Sequence, residues 1–284
     1  MSAPFEIRIR PRSGLGAIDV REVWQYRDMI RMMVVRDFTT RYRQTVLGPL
    51  WLVFQPLMIS GVFTLVFSYF AKLPTGQAPP ALFYFAGLVG WNYLSQTFLT
   101  TSQLYLVQGH LFSKIYFPRL CLPLSTAIGN VFGLVVQAIT VVLLALGFWF
   151  HAGSASGIAP DWTRAALVPL ALLQLGLAGM GLGIGLASLT VKYRDLAHMA
   201  AFFVQVWLYI TPVIYPLGSV PDKWRWIVAL NPATVPVDTL RAALVGGGAA
   251  TPTEGLIGFG IALFVAIAGL WFFRQTERSA VDTL

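Results

Sequence analysis

The sequence predicts an all-α membrane protein with six transmembrane helices, an amphipathic interfacial helix at the N-terminus and short helices between spans five and six. Three observations predict it. Hydrophobic residues fill 56% of the 284 positions and charged residues only 11%, where a soluble domain carries about 25% charged residues. The charges are confined to the borders of long stretches that hold none: 44–71, 73–113, 120–160, 165–191, 196–221 and 255–273. Crossing ~30 Å of hydrocarbon takes about 20 apolar residues, and such a run must satisfy its backbone hydrogen bonds internally, which selects helix.

The first element is amphipathic. Residues 1–19 are polar and lack the apolar core of a signal peptide, so insertion is expected to fall to the first span. Over 20–37, Val23, Tyr26, Ile30, Met33 and Val34 share one helical face. Arg21, Gln25, Asp28 and Arg36 lie opposite, with Arg31 on the flank. That pattern predicts a helix lying along a leaflet. The chain divides into an N-terminal segment, 1–49, and a membrane domain, 50–284. Spans are expected at about 50–71, 81–102, 122–150, 165–190, 197–217 and 255–273. The third run exceeds one crossing and is expected to tilt or to emerge into water.

An even number of spans puts both termini on one side. Nine arginines in 1–49, with Lys114, Arg119, Lys192, Arg194, Arg274 and Arg278, fall on that side. Only Lys72, Arg164, Lys223, Arg225 and Arg241 fall on the other. The excess of basic residues marks the cytoplasmic face, so the termini are expected to be cytoplasmic. The net charge of +8 is then mainly an orientation signal. Its residues hug membrane edges instead of forming a basic domain, which argues against a nucleic-acid partner.

Several chemistries are missing. None of the four lysines follows a glycine, so no P-loop is present. No carboxylate or lysine falls inside a span, where an ion-coupled transporter usually needs one. His110, His151 and His198 are far apart and lack metal-ligand spacing. The single cysteine, Cys121, permits no intrachain disulfide. Asp222 and Asp238 are read as solvated charges. No catalytic residue, cofactor or metal site is expected on this chain.

Packing and aromatic surface remain. In 177–189, Gly179, Gly183 and Ala187 recur every fourth residue, as do Gly181 and Gly185. Such spacing lets helix backbones approach closely, within a subunit or between subunits. Tyr84, Phe85, Trp91, Tyr93, Trp207 and Tyr209 lie within spans two and five. They suit either an interfacial belt or a channel lining on which sugar rings stack. Between spans two and three, 105–123 mixes polar and apolar residues and stops at Pro118. It reads as an interfacial loop or a short helix presenting Leu111, Phe112, Ile115 and Tyr116 to a partner. Between spans five and six, 218–254 is too long for a structureless loop. It reads as two short amphipathic pieces broken at Asn231-Pro232, with Trp224 and Trp226 suited to the interface. The first starts near Pro221-Asp222 and the second stops before Gly246-Gly247-Gly248.

Four stretches carry a family resemblance: RDFTTRYRQTVLGPLWLVFQPL (36–57), HLFSKIYFPRLCLPLS (110–125), VKYRDLAHM (191–199), and ITPVIYP with LNPATVPVDTLRAAL (210–216 and 230–244). In this order and at these places the chain resembles, over nearly its whole length, the permease subunits of type-2 ABC exporters for polysaccharide or teichoic acid. The resemblance implies a homodimer in the bacterial inner membrane, working with two copies of a separate ATPase that binds ATP and Mg. It implies a glycan substrate on undecaprenyl pyrophosphate, most often O-antigen, with capsule, teichoic acid or a small lipid or drug as alternatives. An ATP-independent transporter is a further alternative. Gln108, Gly109, His110, Leu111, Phe112, Lys114, Ile115 and Tyr116 match the coupling helix that docks on the ATPase. Trp224, Trp226, Asn231, Pro232 and Arg241 match the outer gate helices. Arg41, Arg43 and Gln44, beside the Leu47-Gly48 turn, are expected either to receive the lipid-linked pyrophosphate bidentately or to serve orientation and anionic-lipid contact.

Overall fold

The computed structural model describes residues 20–107, 117–190, 192–193 and 195–280. The expected coupling residues, 108–116, lie outside the described residues. Among the described residues the chain is helical, with no strand. The N-terminal stretch forms α1 (Val20–Gln25) and α2 (Arg27–Tyr42), broken at Tyr26. Six longer helices overlie the expected spans: α3 (Trp51–Phe63), α4 (Pro80–Ser102), α5 (Cys121–Ala152), α7 (Val168–Thr190), α8 (Leu196–Ile210) and α11 (Pro252–Ala280). The short α6 (Trp162–Ala165) precedes α7, and α9 (Asp222–Ala229) and α10 (Thr234–Val245) lie between α8 and α11.

Four stretches are long and apolar enough to cross a membrane: Gly48–Phe70, Cys121–Ala152, Val168–Thr190 and Pro252–Phe273. The chain is a multi-pass membrane protein. α4 has the length but is more polar, with Asn92, Ser95, Gln96, Thr97, Thr100 and Thr101 in its second half. α8 ends at Ile210 because Pro212 follows: Thr211 is extended at ψ 140°, as a residue before proline prefers. The expected fifth span is therefore shorter than its charge-free window. α5 is one helix of 32 residues, about 48 Å at 1.5 Å per residue.

The core forms around α4, which buries almost every side chain from Leu82 to Leu94. α7 packs on it through glycine. A Cβ at Gly179 would lie 2.9 Å from Leu94 O, and one at Gly183 2.7 Å from Thr101 Cβ. The other glycine row faces α11: a Cβ at Gly181 would lie 2.6 Å from Ala266 Cα. Both rows thus pack inside one subunit, α7 being held between α4 and α11. The apolar face of α1 and α2 is covered as well. Ile30 and Met33 are buried with Leu104, Phe117, Cys121 and Leu122, and Val23, Tyr26 and Val34 pack at the margin.

Candidate functional site

Among the described residues, a constellation of polar side chains lines a cleft of about 440 Å³ between α2, α3, α4 and α5. Local sequence opens it. Gly129 and Gly133 stand one turn apart on α5 and let two elements approach: a Cβ at Gly133 would lie 3.3 Å from Leu52 Cδ2, and one at Gly129 3.9 Å from Val34 Cγ1. Gly48, at φ +52°, needs the left-handed region open to glycine. It turns the chain from α2 into a short 3-10 turn, Gly48–Leu50, and then α3. α3 stands off the bundle. Its span buries little, and the chain continues beyond it as a π-helix, Thr64–Phe70.

Five carboxamides reach this cleft: Gln55 from α3, Asn92 and Gln96 from α4, and Asn130 and Gln137 from α5. Positions four and seven apart share a helix face, so the α4 pair and the α5 pair point the same way. Three of the amides are held by partners. Asn92 Nδ2 donates to Gln137 Oε1 at 3.0 Å, and Asn130 Nδ2 donates to Thr97 Oγ1 at 3.3 Å. The side chains of Gln55 and Gln96 are exposed and make no hydrogen bond among the described residues. Asn92 lies ten residues from the α2 end of α4, so the polar wall runs about 15 Å into the bundle.

The mouth is cationic. Arg36 donates to Asp37 through Nε at 2.9 Å and Nη2 at 2.7 Å. That pairing consumes the one carboxylate at the mouth and leaves Arg41, at the rim, without a carboxylate partner among the described residues. Of the other expected entry residues, Arg43 and Gln44 are exposed, and Leu47 and Gly48 are half-buried in the turn; none of these lines the cleft. Charge, aromatic rings and glycine spacing along the spans do not mark these five amides. Their i, i+4 and i, i+7 spacing on successive apolar helices is the signal that could have found them.

A second polar constellation sits at the opposite end of α4. Asp238 is fully buried, which corrects its reading as a solvated charge. One of its oxygens accepts from Arg241 Nη2 at 3.0 Å. The other accepts from Arg164 Nη1 at 3.3 Å and from the backbone N–H of Ala249 and Ala250, each at 2.9 Å. Arg241 is 1% exposed; it also donates to Pro212 O at 2.8 Å and stacks over Phe83, 4.3 Å from the ring centre. Burial pushes its pKa below the ordinary guanidinium value, against the nearby Asp238 charge. Asn231 Oδ1 accepts from Trp207 Nε1 and Ala233 N, and its Nδ2 donates to Thr211 Oγ1. Pro232 O accepts from Gln174 Nε2 at 2.9 Å. Trp224 and Trp226 point outward from α9, 53% and 62% exposed. Asp222, unlike Asp238, is exposed.

The expected aromatic path is placed differently from the expectation. Tyr84, Phe85, Trp91, Tyr93 and Trp207 are all buried in the protomer. Trp91 meets Trp207 edge-on at 5.6 Å, and Tyr84 meets Phe63 at 6.0 Å. These rings pack the core because α4 is the central helix; Tyr93 alone among them borders the cleft. Tyr209 is exposed.

The sequence profile of the family described as ABC-2 type transporter matches residues 29–245. The chain belongs to the ABC-2 transporter family. The match runs from α2 through α10 and so takes in both the cleft and the Asp238 cluster. Similar proteins include the O-antigen export system permease protein RfbA of Myxococcus xanthus, 30% identical over 75% of this chain and 78% of that protein. Two proteins of the same name from Klebsiella pneumoniae are 23% and 22% identical, the second over 90% of this chain and 95% of its own length. As an ABC-2 transporter the chain is a transport subunit. Its cleft suits that role: it offers neutral donors and acceptors beside one cation, a surface that binds. Among the described residues, no three metal-ligating side chains come together.

Proposed function

We propose that this chain is the transmembrane subunit of an ATP-driven exporter that moves a lipid-linked polysaccharide of the O-antigen type across the bacterial inner membrane. The observation that carries the reading is the family match over 29–245, joined to relatives named O-antigen export permeases along most of their length. In this reading α3, α4, α5, α7, α8 and α11 are six spans and both termini are cytoplasmic, as the asymmetry of lysine and arginine requires. The cleft mouth then faces the cytoplasm. Two copies of the chain assemble with two copies of a separate ATPase, which carries ATP and Mg and docks on 108–116. The substrate is an undecaprenyl-linked glycan. Its pyrophosphate is received near Arg41 and Arg43, and its polymer passes along the exposed faces of α3 and α8, Tyr209 among them. The helices α9 and α10 form the outer gate.

Deleting the gene tests this. The expected result is loss of long-chain O-antigen from the cell surface, with lipid-linked polymer accumulating on the cytoplasmic side and export restored by the chain. Undiminished surface polymer in the deletion strain would overturn the proposal.

A further inference from the structure

We propose that the cleft between α2, α3, α4 and α5 is a glycosyl-binding site within a single protomer, taking one or two sugar rings that adjoin a phosphate. The proposal rests on the exporter reading and adds to it a place where substrate chemistry is recognised. Three features carry it.

The first is the chemistry of the wall. A carboxamide both donates and accepts, as a sugar hydroxyl does. Five such groups around one space offer pairs of complementary bonds without the cost of desolvating a charge. A lipid tail in the same space would leave Gln55 and Gln96 without partners, which is unfavourable away from water. The second is pre-organisation. The Asn92–Gln137 and Asn130–Thr97 bonds fix three of the amides, so their free lone pairs and N–H groups are held in place before any ligand arrives. The third is the order of features along the cleft. Arg41 stands at the rim, the amides lie deeper, and the rings of Phe38, Trp51 and Tyr93 border the space. A phosphate at the rim and a sugar inside matches that order, with apolar sugar faces against the rings. The volume of about 440 Å³ is that of a small-ligand pocket. It is roomier, and richer in hydrogen-bonding groups, than the two hydroxyls of a glycerol head group require. Hydroxyls next to a phosphate nevertheless occur in glycolipids and in phosphatidylglycerol alike, so the test separates these sources.

The full-length protein is placed in nanodiscs of phosphatidylethanolamine, and binding of radiolabelled farnesyl-pyrophosphoryl-N-acetylglucosamine is measured. Farnesyl pyrophosphate serves as the sugar-free probe and short-chain phosphatidylglycerol as competitor. Replacing both free amides (Gln55→Leu with Gln96→Leu) is expected to weaken the sugar-bearing probe about ten-fold or more, the effect of one or two lost hydrogen bonds. Binding of farnesyl pyrophosphate is expected to stay within about two-fold, which also reports a folded protein. Gln96→Ala alone, at an exposed position, is expected to show a smaller loss in the same direction, and it decides the matter if the double variant does not fold. Unchanged binding of the sugar probe overturns the proposal, as does an equal loss for both probes. Competition by phosphatidylglycerol as strong as by the sugar probe would assign the cleft to phospholipid and equally overturn it. The exporter reading is judged separately by surface polymer in the deletion strain: loss of that polymer on deletion, with a failed binding test, removes the sugar site alone.

Discussion

At the scale of residues, Asp238 and Asn231 do most to join distant parts of the chain. Asp238 ties α10 to Arg164 before α7 and to the backbone of 249–250 before α11. Removing one partner from a buried ion pair leaves an uncompensated charge and costs about 3–5 kcal/mol. Asp238→Asn is therefore expected to lower stability by that amount in detergent unfolding, while Asp222→Asn, at an exposed position, changes it by no more than about 0.5 kcal/mol. Asn231→Ala leaves the buried Trp207 Nε1 without its acceptor and is expected to cost about 1–3 kcal/mol, again read by detergent unfolding. None of this was legible from the residues alone. The partners of Asp238 include a residue 74 positions away, and an aspartate in an outer connection carries no local mark of its burial. The aromatic residues show the same limit. Trp207 and Tyr209 are two residues apart on one helix, yet one is buried and the other exposed, and residue type does not tell core from surface.

At the scale of elements, α7 shows how backbone proximity replaces side-chain packing. Its two glycine rows serve two neighbours, and the spacing was plain in the sequence, whereas the choice between packing inside one subunit and packing between two was not. That choice depends on which helices flank α7, which helical periodicity does not encode. The rows also differ in tolerance. Gly181→Ala would press a methyl against the backbone of α11 at Ala266 and is expected to destabilise by about 1–3 kcal/mol. At Gly185 the nearest atom is 3.5 Å away, so Gly185→Ala is expected to be neutral or to stabilise by up to about 1 kcal/mol through helix propensity. Unfolding of the two variants side by side checks the contrast. The start of α6 carries a pH-sensitive contact. Asp161 accepts from the Thr163 hydroxyl and from the backbone N–H of Thr163 and Arg164, and these bonds hold its pKa below the usual 3.8. A depressed folded pKa stabilises above the unfolded value and ceases to do so as pH falls through the folded one. Hydrogen exchange at Thr163 and Arg164 is therefore expected to lose protection only below about pH 4, and Asp161→Asn is expected to remove that dependence.

At the scale of the whole molecule, a polar cleft and a buried ion cluster stand at opposite ends of one central helix. Phe83, against Arg241, and Gln96, in the cleft wall, are 13 residues apart on α4, about 20 Å. Charge-free windows locate most helix ends to within a few residues, because the need for apolar surface acts on each segment by itself, although α11 runs on to Ala280, past the 255–273 window. The α8 end differed from its window because Pro212 stops the helix while the apolar run continues. The cleft was invisible to the same reading, since it exists only where α2, α3, α4 and α5 meet. In the proposed function this chain is the membrane half of an ATP-driven machine. The measurement that tests this most directly is affinity purification of the tagged chain from its native membrane in mild detergent, with partner identification and subunit counting. Equal numbers of this chain and a P-loop ATPase, two of each, are expected. Recovery of this chain alone, under conditions that keep other membrane complexes intact, would contradict it.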